Sequence, residues 1–165
     1  MSIDFEKYAI KGNEFVQLVT DELVVPPDKA GRIIRAVFHS LRNRLTHEES
    51  FQLLAQLPMS LKGVYVDGWK FSKDFNRITH IADFLEEVRK EDGRLAEFDF
   101  GDLPNTKTAI TAVFKALKYF VSDGEMQDII DVLPAALKKF IKQSLVGNEI
   151  IFIAYKTILY NGANT

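Results

Sequence analysis

Apolar residues between positions 33 and 45 fall on one face of a helix, and the same arrangement returns later in the chain. From Val37 to Val113 the spacing is 76 positions (113 − 37), and it holds without a gap. The first stripe consists of Ile33, Ile34, Val37, Phe38, Leu41 and Leu45, and the second of Ala109, Ile110, Val113, Phe114, Leu117 and Val121. A repeat of this kind predicts a duplicated helical unit.

Each stripe is followed by the start of a second helix. Thr46 and Glu49 have the spacing of a capping box, and the same pattern recurs 76 positions later. Pro58 and Pro134 interrupt the two following helices at matched positions. Because proline lacks the backbone N–H, we expect either a kink or a break into two short helices. The unit is therefore predicted to be an antiparallel helix pair.

Another apolar helix precedes each pair. Phe15 corresponds to Phe84 at a spacing of 69 (84 − 15), so the second half carries an insertion of 7 residues (76 − 69), predicted as a loop within residues 93–105. The predicted fold is all-α: a single domain over residues 1–165, a tandem duplicated helical bundle. It comprises two pseudo-repeats of three to four helices, about residues 8–69 and 79–141. A C-terminal capping helix over residues 148–161 is expected to fill the groove between them or to form a dimer contact.

The composition and charge of the chain argue against several classes of function. A net charge of −2, from 21 basic and 23 acidic residues, gives no basic excess for a nucleic-acid-binding face. The lack of cysteine excludes disulfides and thiolate chemistry, and it fits the reducing cytoplasm. The first residues show no secretory signal, and the longest apolar run, residues 150–155, is far shorter than the roughly 20 residues that span a bilayer. We expect a cytoplasmic protein with no membrane span, no nucleic-acid partner and no cofactor.

The two copies differ most at residues 65–69, which hold the sole tryptophan. In a functional interpretation, Tyr65, Asp67 and Trp69 line a pocket or anchor a partner. In a structural interpretation, Gly68 ends the helix in a left-handed turn and Trp69 packs the linker onto both halves. We favour the structural interpretation, because large aromatic residues after a helix cap usually pack.

Two further differences are polar. Arg44 is a candidate for binding an anion, although pairing with Glu48 or Glu49 is the favoured interpretation. Gln56 precedes the proline bend, where it either satisfies backbone groups freed by the bend or contacts a ligand. The candidate binding residues are therefore Tyr65, Asp67, Trp69, Arg44 and Gln56.

No catalytic or metal-binding residue is predicted. His39, His47 and His80 have no paired metal-ligand spacing. Glycine-rich phosphate loops, a G-x-S-x-G elbow and an H-E-x-x-H motif are all missing from the sequence.

Several segments resemble a known bacterial family, the domain of unknown function DUF2267. They are Gly12–Phe15, Leu41–Leu45, Ala55–Pro58 and Gly63–Trp69. The similarity is closest over Tyr8–Trp69 and extends through the second copy to about Ile141. The resemblance implies an all-helical, stand-alone cytoplasmic protein with no established activity and no catalytic residue to carry over.

Two functions remain open at this point. The leading hypothesis is a non-enzymatic helical interaction module that presents a surface near Tyr65–Trp69 to another protein or to a second copy of the chain. The alternative is a small-molecule or anion-binding protein that uses Arg44, Gln56, Asp67 and Trp69 in a cleft between the two repeats.

Overall fold

The computed structural model describes residues 2–70 and 78–146, and within these ranges it is all-helical, as predicted, with no strand. The α-helices of the described ranges are α1 (Phe5–Leu23), α2 (Pro27–Arg44), α3 (His47–Gln56), α4 (Met59–Val66), α5 (Ile81–Asp92), α6 (Ala96–Asp99), α7 (Leu103–Phe120), α8 (Asp123–Val132) and α9 (Ala135–Val146). The predicted C-terminal helix, residues 148–161, lies outside the described residues. Over residues 2–70 and 78–146, no helix combines the length with the apolar composition that a membrane span requires.

The helix starts follow from local side-chain chemistry. The hydroxyl of Thr46 accepts a hydrogen bond from the amide of Glu49, whose carboxylate accepts one from the amide of Thr46, so the predicted capping box is present. Ser122 and Glu125 form the second capping box in the same way. Pro58 stands immediately before α4, and α8 and α9 are likewise separate helices. Of the two outcomes expected at the prolines, the chain adopts the break.

The core lies around α2 and α7. These two helices contact each other, and each also contacts both α1 and α5. Farther along, α3 packs against α8. Phe15, Phe38, Phe84 and Phe114 are the large rings at the centre, and each is at most 1% exposed. The apolar stripes seen in the sequence therefore meet in one shared core.

Helix bounds recur along the chain at a constant spacing. The first and last residues of α7 lie 76 positions after those of α2 (103 − 27 and 120 − 44). The bounds of α3 and α8 are related by the same spacing, and so are the starts of α4 and α9. The last pair then differs in length, because α4 ends at Val66 whereas α9 continues to Val146.

The segment predicted as a loop, residues 93–105, is more ordered than expected. A 3-10 turn (Gly93–Leu95) and the one-turn helix α6 fill its first half. Two contacts hold it to the core. Phe100 is 1% exposed, and the carboxylate of Asp99 accepts hydrogen bonds from the guanidinium of Arg32 at 2.7 and 3.0 Å. The loop prediction was wrong here because these anchors are tertiary contacts, which a local pattern does not contain.

Candidate functional site

The end of α4 and the turn after it bring together three of the five predicted binding residues. Gly68 has a φ of +65°, the left-handed conformation that favours glycine, and the amide of Trp69 donates to the carbonyl of Val66 at 3.0 Å. The helix therefore ends in a tight turn that folds the Trp69 indole back onto α4.

Two polar side chains of α2 hold this helix end in place. Nη1 of Arg42 donates to the carbonyl oxygens of Tyr65 at 2.8 Å and Asp67 at 2.7 Å. The imidazole Nε2 of His39 lies 2.8 Å from the carbonyl oxygen of Val64. The last carbonyls of a helix have no partner within the helix, so these side chains take over that role.

Burial changes the acidity of both capping groups. Desolvation is the main cause that lowers the pKa of Arg42 and of His39 from their ordinary values. Because a carbonyl oxygen can only accept, Nε2 of His39 carries the N–H that it donates to Val64, and Nδ1 lies 3.4 Å from a carboxylate oxygen of Glu91. Both groups are thus used to stabilise the polypeptide chain itself.

Tyr65 is part of the interior. Its side chain is completely buried, and its hydroxyl forms a 2.8 Å hydrogen bond with the hydroxyl of Ser50. Burial is the main cause that raises the pKa of Tyr65 above its ordinary value. Any partner at this end of α4 therefore reaches the turn and not Tyr65.

Trp69 is half-buried and covers this end of the core. Its ring lies edge-on to that of Tyr65, with centroids 5.7 Å apart, and 5.8 Å from the His47 ring. Asp67 is exposed, and its backbone carbonyl is the group that Arg42 binds. The structural interpretation of this turn matches its geometry in two respects: Gly68 is left-handed and Trp69 packs on the core.

The remaining two predicted residues lie at other helix ends. Gln56 is the last residue of α3 and is partly buried. Arg44 is the last residue of α2, and its Nη2 donates to a carboxylate oxygen of Glu87 at 2.6 Å, a partner on α5 that the sequence did not suggest.

Arg44 also lines an open groove of about 560 Å³ between the α2–α3 corner and α9. Its lining residues are Arg44, Glu49, Asp131, Leu133, Pro134, Ala135, Lys138, Lys139, Lys142 and Gln143. From the sequence, four residues were expected to share one cleft between the halves. Arg44 is the one of the four that lines this groove, and Gln56, Asp67 and Trp69 do not line it.

Two helix faces that lie 76 positions apart in the sequence differ in chemistry. On α4 the exposed positions Met59, Gly63 and Val66 follow helical spacing and form an apolar face. The positions 76 residues later are Ala135, Lys139 and Lys142 of α9, which are also exposed. This side of α4 therefore presents an apolar surface to solvent, whereas the positions 76 residues later present a basic one.

The sequence profile of one family, described as "Uncharacterized conserved protein (DUF2267)", matches residues 12–140. The chain belongs to this family. The match covers both apolar stripes and both proline breaks, and it confirms the resemblance seen in the sequence. No curated protein matches the chain.

Sequence reasoning on this DUF2267 member missed three features of the site. The capping roles of His39 and Arg42 had one usable signal, two polar residues three positions apart that directly follow Phe38 and Leu41 of the apolar stripe. Lys139 and Lys142 of α9 had another, because the residues 76 positions before them, Gly63 and Val66, carry no charge. In the part of the chain that the structure describes, no group of three or more histidine, aspartate or glutamate side chains is arranged to hold a metal ion.

Proposed function

We propose that this protein is a non-enzymatic interaction module built from two tandem copies of one helical unit, and that the apolar face of α4 contacts a protein partner. Support for the duplication comes from three kinds of agreement: helix bounds, capping boxes and buried positions all recur at a spacing of 76. Phe38 and Phe114, for example, are both buried.

The pattern of helix contacts also supports the duplication. The first helix of each copy packs against the long helix of its own copy and against that of the other: α1 contacts α2 and α7, and α5 contacts α7 and α2. The contacts of α3 with α8 and of α2 with α7 join corresponding helices. A pseudo-twofold axis that exchanges the two copies accounts for this pattern.

The observation that carries the interaction proposal is that α4 is apolar on two sides. Leu61 and Tyr65 face the core at 2% and 0% exposure, whereas Met59 and Val66 are 50% and 43% exposed. With Gly63 between them, the exposed pair forms an apolar strip along the helix, next to the partly buried Lys62. Such a surface favours contact with another protein.

The polar groups behind this face support binding over catalysis. His39, Arg42 and Tyr65 are the buried titratable groups closest to the turn, and each is bonded to a backbone carbonyl or to Ser50. They hold the face in position. Absence of cysteine is consistent with a cytoplasmic location for the module.

The first partner to test is a second copy of the chain, because one self-complementary face suffices for a twofold dimer. Sedimentation velocity of the full chain should show a concentration-dependent dimer that Val66→Asp abolishes. The matched control is Val24→Asp, since Val24 is 90% exposed at the end of α1 and far from this face in sequence.

A partner of a different sequence is tested by photo-crosslinking in cells. A benzophenone side chain at Met59 should give one defined adduct that Val66→Asp removes, and the same group at Val24 should give none. A chain that stays monomeric at all concentrations, together with equal crosslinking from Met59 and Val24, would refute the interaction proposal.

A further inference from the structure

The groove beside α9 concentrates positive charge in a protein whose net charge is −2. Its walls carry four cations, Arg44, Lys138, Lys139 and Lys142, against two carboxylates. The cations come from both halves of the chain, with the arginine at the end of α2 and the lysines on α9.

Two of these cations already have partners. Arg44 donates to Glu87. Lys138 donates to the backbone carbonyl of Asp131 at 3.0 Å, and its ammonium lies 4.0 Å from a carboxylate oxygen of the same residue. Within residues 2–70 and 78–146, the ammonium groups of Lys139 and Lys142 form no ion pair or hydrogen bond, so the groove retains two unpaired positive charges three positions apart on one helix.

The floor of the groove adds a second attraction for anions. Leu133, Pro134 and Ala135 lie where α9 begins. The amide of Lys138 is bonded to the carbonyl of Pro134 at 2.8 Å, and the amides before it belong to the first turn, which has no intrahelical acceptors. The positive end of the helix dipole therefore faces the same region as the lysines.

We propose that this groove binds a small organic anion carrying at least two phosphate groups. Its volume of about 560 Å³ lies in the range of small-molecule sites. Lys139 and Lys142 bind adjacent phosphates as point charges, and Leu133 and Ala135 contact the carbon portion of the ligand. Phosphates are favoured over carboxylates because each phosphate concentrates more charge and more acceptor oxygens opposite the two ammonium groups.

The proposal is independent of the apolar face of α4. The corresponding positions of α4 are Gly63 and Val66, which carry no charge, so the basic site belongs to the second copy. Val66→Asp, the variant that removes protein association, should leave binding in the groove unchanged. Failure of one proposal therefore does not imply failure of the other.

Isothermal titration calorimetry on the full chain tests the groove, with inorganic pyrophosphate, orthophosphate and citrate as probes. Pyrophosphate should bind more tightly than either of the other two. The double variant Lys139→Gln/Lys142→Gln should weaken pyrophosphate binding by about tenfold or more, because it removes two charge-assisted contacts. The matched double variant Lys62→Gln/Lys107→Gln changes the charge equally at lysines outside the groove walls and should bind like the unmodified chain.

Three results would overturn the inference: no binding of pyrophosphate, equal weakening in the two double variants, or citrate binding as tightly as pyrophosphate. Circular dichroism confirms that each variant is folded before titration. Lys139 and Lys142 are exposed, so their replacement should preserve the fold. If the double variant does not fold, Lys142→Gln alone should weaken binding by about threefold, and unchanged binding would count against the proposal.

Discussion

Replacing Arg42 with methionine should destabilise the protein mainly by releasing the end of α4. The guanidinium donates to two carbonyl oxygens, those of Tyr65 and Asp67, at 2.8 and 2.7 Å. Methionine fills much of the space of the aliphatic stem but donates no hydrogen bond. The two carbonyls then lose their partner while the hydrophobic packing is largely kept.

The expected loss follows from the surroundings of the two carbonyls. Hydrogen bonds to a charged group contribute about 1.5–3 kcal/mol each. Asp67 is exposed, so water replaces the lost bond there, whereas Tyr65 is fully buried and its carbonyl stays unsatisfied at a cost of about 1–3 kcal/mol. Methionine also avoids the cost of burying the guanidinium, which offsets part of the loss. We expect a net decrease of about 2 kcal/mol in the free energy of unfolding.

Urea denaturation followed by circular dichroism measures this difference, and Trp69 fluorescence reports on the turn itself. The matched control is Lys118→Met, 76 positions later, because α9 continues past the point where α4 ends and needs no such cap. We expect the control to lose less than about 1 kcal/mol. Equal losses in the two variants, or an unchanged urea midpoint for Arg42→Met, would refute the capping argument.

Three further predictions concern the core and its charges. Phe38→Ala and Phe114→Ala should each lower the free energy of unfolding by about 3–5 kcal/mol, and to a similar extent, because both rings are buried in the core. If urea denaturation gave very different losses for the two variants, the two rings would not occupy equivalent places in the core. Tyr65→Phe should cost about 1 kcal/mol because Ser50 loses its partner, and adding Ser50→Ala should recover part of that loss in a double-mutant cycle. Burial is the main cause that raises the pKa of Asp92 from 3.8 to about 6, and the neighbouring carboxylate of Asp99 adds to it. The folded state therefore holds the proton of Asp92 more tightly than the unfolded state does. The contribution of Asp92 to stability consequently falls as the pH rises from about 4 to 6. Asp92→Asn should therefore stabilise the protein more at about pH 7.5 than at about pH 4 in thermal denaturation, and a pH-independent difference would contradict this.

The helices that could be predicted from sequence are those whose signals are local. The stripe containing Phe38, the stripe containing Phe114, both capping boxes and both proline breaks depend on residues within a few positions of one another. Backbone hydrogen bonding and helical periodicity act over the same short range, so the sequence pattern was sufficient to predict where these helices begin and end. The family assignment rested on the same local motifs.

The insertion and the binding surfaces depended on contacts between distant residues. Asp99 orders residues 93–105 through Arg32, which is 67 positions away. Arg42 reaches a carbonyl 25 positions ahead, and Arg44 lines a groove with Lys142 of α9. A polar residue in a helix looks the same in the sequence whether it caps a distant helix, forms an ion pair or faces solvent.

Local periodicity and capping were thus enough to establish an all-helical chain in which the same pattern occurs twice. The packed chain was needed to place Tyr65 inside, to assign His39 and Arg42 to the end of α4, and to set α9 lysines opposite Arg44. The physical reason is the separation along the sequence over which each kind of interaction acts. Helix formation is governed by neighbours three or four positions apart, whereas burial and charge compensation depend on which helix faces meet once the apolar core has closed.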